Sequence, residues 1–251
     1  MFLYESFVTL ILAVALVGGQ PSSQDNGPGS TFGELLKRHN IQLTQPALVD
    51  ALRNTDPEVR DLAAHKLAED KAVETIPAIK DALASEKVPW TRMNIALALA
   101  AMGEPIGFDT LEDNCKNKDT SGPIRARSAE YLLRFNRDST MCLSGVLDLL
   151  KSGSNGDRMA AAELLPRYHN VSKEDSEKVF TGLVEALHAP GPAVRMAAGR
   201  ALADLGDTRG IAELGRAIEG EQDQLVRSRL EEDLGILLPQ SFIFQIRNKI
   251  R

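Results

Sequence analysis

Apolar residues recur at spacings of three and four along most of the chain. Leu48 and Leu52 form one such stripe, and Ile76, Ile79 and Leu83 form the next. Phe108, Leu111 and Cys115 follow, then Leu143, Val146 and Leu150, then Phe180, Leu183 and Leu187, then Ile211, Leu214 and Ile218. This spacing predicts a helix with a single apolar face in each case. Behind each stripe comes a second run in a shared order. DPEVRDLAAHKL (Asp56–Leu67) and GPAVRMAAGRAL (Gly191–Leu202) have Pro, then Val, Arg, an Ala pair and a Leu. VPWTRMNIALAL keeps the order with Thr91 for the Val; GPIRARSAEYLL is looser, with Ala126 where Arg is expected. NGDRMAAAELL and DQLVRSRLEEDL lack the Pro.

The Leu seven residues after the Arg position falls at Leu67, Leu99, Leu133, Leu165, Leu202 and Leu234, with gaps of 32, 34, 32, 37 and 32. Six copies at a near-constant spacing are an internal repeat. Each copy reads helix, short turn, helix. Asp56 is placed to cap the second helix, and Pro at the first helical position forfeits no hydrogen bond. One hairpin cannot cover its own stripe. Burying a Leu is worth about 1.5–3 kcal/mol, and stacked hairpins supply that cover to one another. The small residues Ala63, Ala129, Ala161 and Ala198 let neighbouring helices approach. The pattern therefore predicts an all-α fold, a right-handed α-solenoid of about six stacked hairpins with a continuous core.

The order D-P-x-V-R-x-x-A-A-x-x-L resembles HEAT repeats, and in particular the short HEAT-like repeats of the phycobilisome lyase type. The resemblance covers about Pro46 to Leu238. It implies that an Arg at the shared position bonds to acidic side chains or carbonyls in the turns and ties neighbouring units together. Arg60, Arg92, Arg158, Arg195 and Arg227 hold that position, with Asp56 and Asp223 as suitable partners. Repeat three, having Ala126, is then expected to be the loosest joint.

The expected units are 46–71, 72–104, 105–136, 137–170, 171–207 and 208–238, preceded by a capping helix at 31–41. Phe7–Gly19 is an apolar run followed by a polar stretch, the layout of a signal peptide cut before Gln20, which implies a secreted or periplasmic protein. Glu5 and the lack of Lys or Arg in the first six residues depart from that layout. Residues 20–30 read as a linker. Residues 239–251 read either as a cap on unit six or as a basic amphipathic tail touching a membrane or a partner. Between units four and five, Pro166 is expected to end a helix early and leave a longer loop over 166–178, with Asn170 in a glycosylation pattern.

Composition narrows the function. Of 251 residues 43% are hydrophobic but only 5% aromatic, and the net charge is −6 with no long basic run, which excludes nucleic acid as the main ligand. The histidines His39, His65, His169 and His188 have no zinc-site spacing and no following Glu. Neither a phosphate loop nor a nucleophile elbow occurs, so no catalytic residue, metal or cofactor is expected. Cys115 stands where Leu150 stands in the next unit, about 12 Å along the axis from the place of Cys142. On that register no bridge forms between them.

What remains is surface. In HEAT solenoids the second helices line the concave side. Counting from the Arg position, Met93, Leu97, Tyr131, Met159 and Met196 form an apolar strip flanked by charges such as Arg200, unless they are spent in contacts between repeats. The strip suits an adaptable protein partner. An exported scaffold binding a protein or peptide is thus the expected role; a chromophore-lyase-like enzyme, implied only by the repeat subtype, or an assembly factor of an envelope complex is the alternative.

Overall fold

The computed structural model describes residues 31–135, 140–168 and 171–238. The run expected to be a signal peptide, the expected linker, His169, Asn170 and the 239–251 segment lie outside the described residues. Within them thirteen α-helices are present, and none is long and apolar enough to cross a membrane. The fold is an α-solenoid of helical hairpins.

The chain divides into two compact units after Asn114. The first holds α1 (Phe32–Arg38), α2 (Gln45–Ala51), α3 (Pro57–Glu69), α4 (Ile76–Ser85), α5 (Pro89–Ala101) and all but the end of α6 (Pro105–Lys116). Caps fix where these helices begin. Thr31 and Glu34 close a capping box on α1, and Asp56 accepts from the Glu58 amide ahead of Pro57 on α3. α1 packs on α3, laying Phe32 on the buried His65 ring at 5.0 Å between centroids. α2 packs on α3, α4 on α5, and α3 on α5, so the two second helices are neighbours. Their contact has a polar lock: Asn94 donates to Asp61 Oδ2 at 2.6 Å.

The second unit holds α7 (Gly122–Arg134), α8 (Thr140–Ser152), α9 (Asn155–Leu164), α10 (Lys173–Ala186), α11 (Pro192–Leu205), α12 (Gly210–Gly220) and α13 (Gln224–Leu237). First helices pack on their own second helices, and α7, α9, α11 and α13 pack one on the next. Gly199 of α11 makes room for α13: a Cβ there would meet Leu230 Cδ2 at 2.3 Å. The inter-unit spacer is shorter than expected. α9 stops at Leu164 and continues as a 3-10 turn over Leu165–Arg167, but Ser172 then caps α10, so KEDSEK is helical.

Repeat three departs from the sequence register by one residue. Every second helix carries Arg as its fourth residue: Arg60, Arg92, Arg125, Arg158, Arg195 and Arg227. In α7 the Pro is second instead of first, so Arg125 and not Ala126 is the counterpart. The core Leu is accordingly Leu132, which is buried, whereas Leu133 is half-buried. The Ala position falls on Ser128, also fully buried.

The cysteines overturn the expected separation. Cys115 and Cys142 form a disulfide with their Cα atoms 5.6 Å apart. Cys115 lies beside the first turn of α8, not its last, so equal register between successive first helices does not hold here. Gly145 allows the approach, since a Cβ on it would sit 2.2 Å from the Cys115 carbonyl oxygen.

Candidate functional site

Three sets of side chains stand out, beginning with the arginines. Arg60 donates through Nε and Nη2 to both oxygens of Glu86, at 2.6 and 2.9 Å, and through Nη1 to the carbonyls of Asn54 and Thr55. Arg195 repeats the arrangement on Glu221, at 2.7 and 3.0 Å, with Nη1 on the carbonyls of Ala189 and Pro190. Each Glu belongs to the turn of the following hairpin and also accepts from two backbone amides there. One guanidinium thus clips its own turn and the next unit together. Asp56 and Asp223, the partners expected from sequence, instead cap α3 and α13. Burial pushes the Glu86 carboxyl up, but the Arg60 hydrogen bond and the Val88 amide outweigh it and hold it below the ordinary range. At Glu221 the Arg195 hydrogen bond is the main cause of the same depression.

Repeat three is not the loose joint expected from Ala126. Arg125, almost fully buried, donates to the Gly145 carbonyl and to Asp148, both at 3.1 Å. Arg227 donates to the Glu221 carbonyl. Arg92 is exposed and makes no ion pair among the described residues. Arg158 makes one hydrogen bond, from Nε to the Leu150 carbonyl at 3.0 Å.

The second set is the expected apolar strip, and the structure breaks it up. Met93, Leu97 and Tyr131 are fully buried and do not line a surface. For Tyr131 the cause is the one-residue register error, which turns a helical position by about 100°. α5 is buried on every side from Met93 to Ala100, so the same position that faces outward in later helices is core there. Met159 is exposed, Met196 half-buried and Arg200 exposed, on the adjacent helices α9 and α11. Arg200 pairs with Asp204 at 3.0 Å.

Below Arg200 lies Asp233 of α13, only 5% exposed and without a hydrogen bond among the described residues. Burial pushes its carboxyl up to about 6, against an opposing pull from Arg200. A carboxyl raised in the folded state binds protons more tightly folded than unfolded, so stability falls as pH rises from about 4 to about 6. Asp233→Asn is therefore expected to stabilise the protein by about 2–3 kcal/mol at pH 7 and to leave it unchanged below pH about 4. Denaturant titrations at the two pH values check this; an equal effect at both would refute it.

The third set was not foreseen from sequence. A groove of about 560 Å³ runs between α8 and α10, with Leu147, Leu150, Gly182 and Ala186 among its lining. It exists because residue 182 has no side chain: a Cβ there would touch Leu150 Cδ2 at 3.3 Å. Its charges are unevenly paired. Lys178 pairs with Glu174 at 2.8 Å, and Glu177 with Arg209, whose guanidinium also lies over Phe180. Lys151, Glu185 and the two Nη groups of Arg158 have no partner among the described residues.

His39, Asp56 and Glu58 also bring one ligand-type atom each to within 4.8 Å, with His39 Nδ1 3.7 Å from Asp56. Sixteen residues between His39 and Asp56 hide this cluster from spacing rules, and Asp56 is already engaged as a helix cap.

Comparison with known proteins agrees with this geometry. The family model described as HEAT repeats matches residues 45–134 and 143–235. No curated protein matches the chain. Among solved structures, human deoxyhypusine hydroxylase in complex with glycerol is similar at 19% identity, covering 94% of this chain and 97% of that one, with a TM-score of 0.41. An engineered protein is similar at 19% identity over 76% and 96% of the two chains, TM-score 0.47. The complex of CpcE and CpcF of phycocyanin lyase from a Nostoc species gives 17% identity over 88% and 100%, TM-score 0.36. With most of its length in the repeats and one arginine clip recurring between hairpins, the chain belongs to the HEAT-repeat family.

Proposed function

We propose that this protein is an exported, non-catalytic scaffold that holds a protein or peptide partner on the second-helix face of its C-terminal unit. The observation that carries the reading is the outward row of Met159, Met196 and Arg200 on α9 and α11. These helices pack on each other, with Met159 exposed and Met196 half-buried beside the contact. Flexible thioether side chains flanked by charge suit an adaptable contact. Export is supported by the N-terminal apolar run and by the Cys115–Cys142 disulfide, a bond that persists in oxidising compartments.

The test is crosslinking in the secreted and envelope fractions of the native host, comparing the protein with its Met159→Glu, Met196→Glu double variant. Placing two charges on a contact face is expected to weaken capture by at least about tenfold, with no change in melting temperature. Undiminished capture of every partner by the double variant would remove this face from the function. Sequencing of the mature N-terminus is expected to begin at Gln20.

A further inference from the structure

Arg158 occupies the helical position at which Arg60 and Arg195 each grip a glutamate of the following hairpin. Those glutamates, Glu86 and Glu221, stand two residues before the N-cap of the next second helix, at Val88 and Asp223. The N-cap of α11 is Gly191, so the equivalent residue after Arg158 is Ala189. The chain thus supplies the cation of the clip without its carboxylate. Arg158 is half-buried and lines the groove between α8 and α10, beside the unpaired Lys151. Its Nε is turned onto the Leu150 carbonyl, which leaves both Nη groups to donate in parallel.

We propose that this groove is a docking site for a partner segment carrying a glutamate, whose side-chain carboxylate completes the clip on Arg158 while neighbouring apolar side chains rest on Leu147, Leu150 and Gly182. The vacant clip decides the occupant. Glu174 shares Lys178 with Asp175, and Glu177 shares Arg209 with Asp207, so the charged groups of the groove left without an ion-pair partner among the described residues are Arg158 and Lys151 against Glu185. Glu185 corresponds in register to Asp148, which pairs with Arg125 one hairpin earlier. It stands more than an ion-pair distance from Arg158 and is the internal competitor for it. This site is separate from the second-helix face, and its measurement reads the groove whether or not that face takes part in binding.

The test is a titration of the full ¹⁵N-labelled chain with the blocked peptide acetyl-Ala-Leu-Glu-Leu-Ala-amide, following the Gly182 amide and the Arg158 Nε–H. Saturable shifts at both are expected, with the Gln-containing peptide binding roughly ten- to a hundredfold more weakly. Arg158→Gln should erase the difference between the peptides, Arg158→Lys should retain part of it, and Glu185→Gln should tighten the Glu peptide. Gly182→Met, which fills the groove without touching its charge, should weaken both peptides. Equal binding of the Glu and Gln peptides overturns the proposal, as does a lack of saturable shifts at millimolar peptide. So does binding that follows a free terminal carboxylate placed on the Gln peptide.

Discussion

Arg60→Ala is expected to cost about 3–5 kcal/mol of stability at neutral pH, because it strands a carboxylate in the interior. The Glu86 side chain is 1% exposed, and Arg60 grips both of its oxygens. Arg195→Ala should do the same through Glu221, whose side chain is 8% exposed. Arg158→Ala, which removes a single bond to a carbonyl, should cost only about 0.5–1.5 kcal/mol. The pH dependence gives an independent check. The Glu86 carboxyl is held below its ordinary range in the folded chain, so its contribution is present above its unfolded pKa of about 4.3 and lost as pH falls through the folded value. In the variant an orphaned Glu86 protonates more readily, and the deficit against the parent should therefore shrink below about pH 4.5. A deficit that stayed constant from pH 8 to pH 4 would show that lost packing, not the stranded charge, is responsible. Replacing both partners with leucine should recover most of the loss, since the buried charge then disappears with its cation.

Loss of the disulfide is the other large effect. Cys115 and Cys142 close a loop with a sequence separation of 27. Cross-linking a loop of this size restricts the unfolded chain and is worth about 2–4 kcal/mol. The Cys115→Ser, Cys142→Ser double variant should melt about 2–4 °C lower for each kcal/mol lost. The loss should also be local. In a repeat array each hairpin leans mainly on its neighbours, so amide exchange should quicken in α7 and α8 while α11 to α13 stay protected. Alkylation of the unreduced, denatured wild type should modify neither cysteine. If reductant left both the melting temperature and the exchange of α8 unchanged, the bridge would have no part in holding this unit.

The helices and their pairing were legible before any coordinate, because a 3.6-residue period with Pro and Asp at the starts is local physics. The six-fold recurrence also exposed Arg60, Arg158, Arg195 and Arg227 as clips within or between units. What failed did so where local order meets packing. Aligning repeat three on its Pro put the Arg position at Ala126. The helix begins one residue before that Pro, at Gly122, and the clip is Arg125. That single slip carried Tyr131 from the core into a supposed surface. Met93 and Met196 share a position in the repeat, yet one is core and one is half-buried. Neighbours distant in sequence set that difference.

By itself the sequence determined the all-helical repeat, the hairpin unit and the arginine at most of the joints, since periodicity and capping act within a few residues of chain. The tertiary structure alone decided three things. It paired Cys115 with Cys142 through an offset at Gly145, it turned Met93, Leu97 and Tyr131 inward, and it left Arg158 in a groove with no carboxylate among the described residues paired to it. Each of these depends on which elements pack against one another and at what offset. Such packing changes no local propensity, yet it decides which side chains meet.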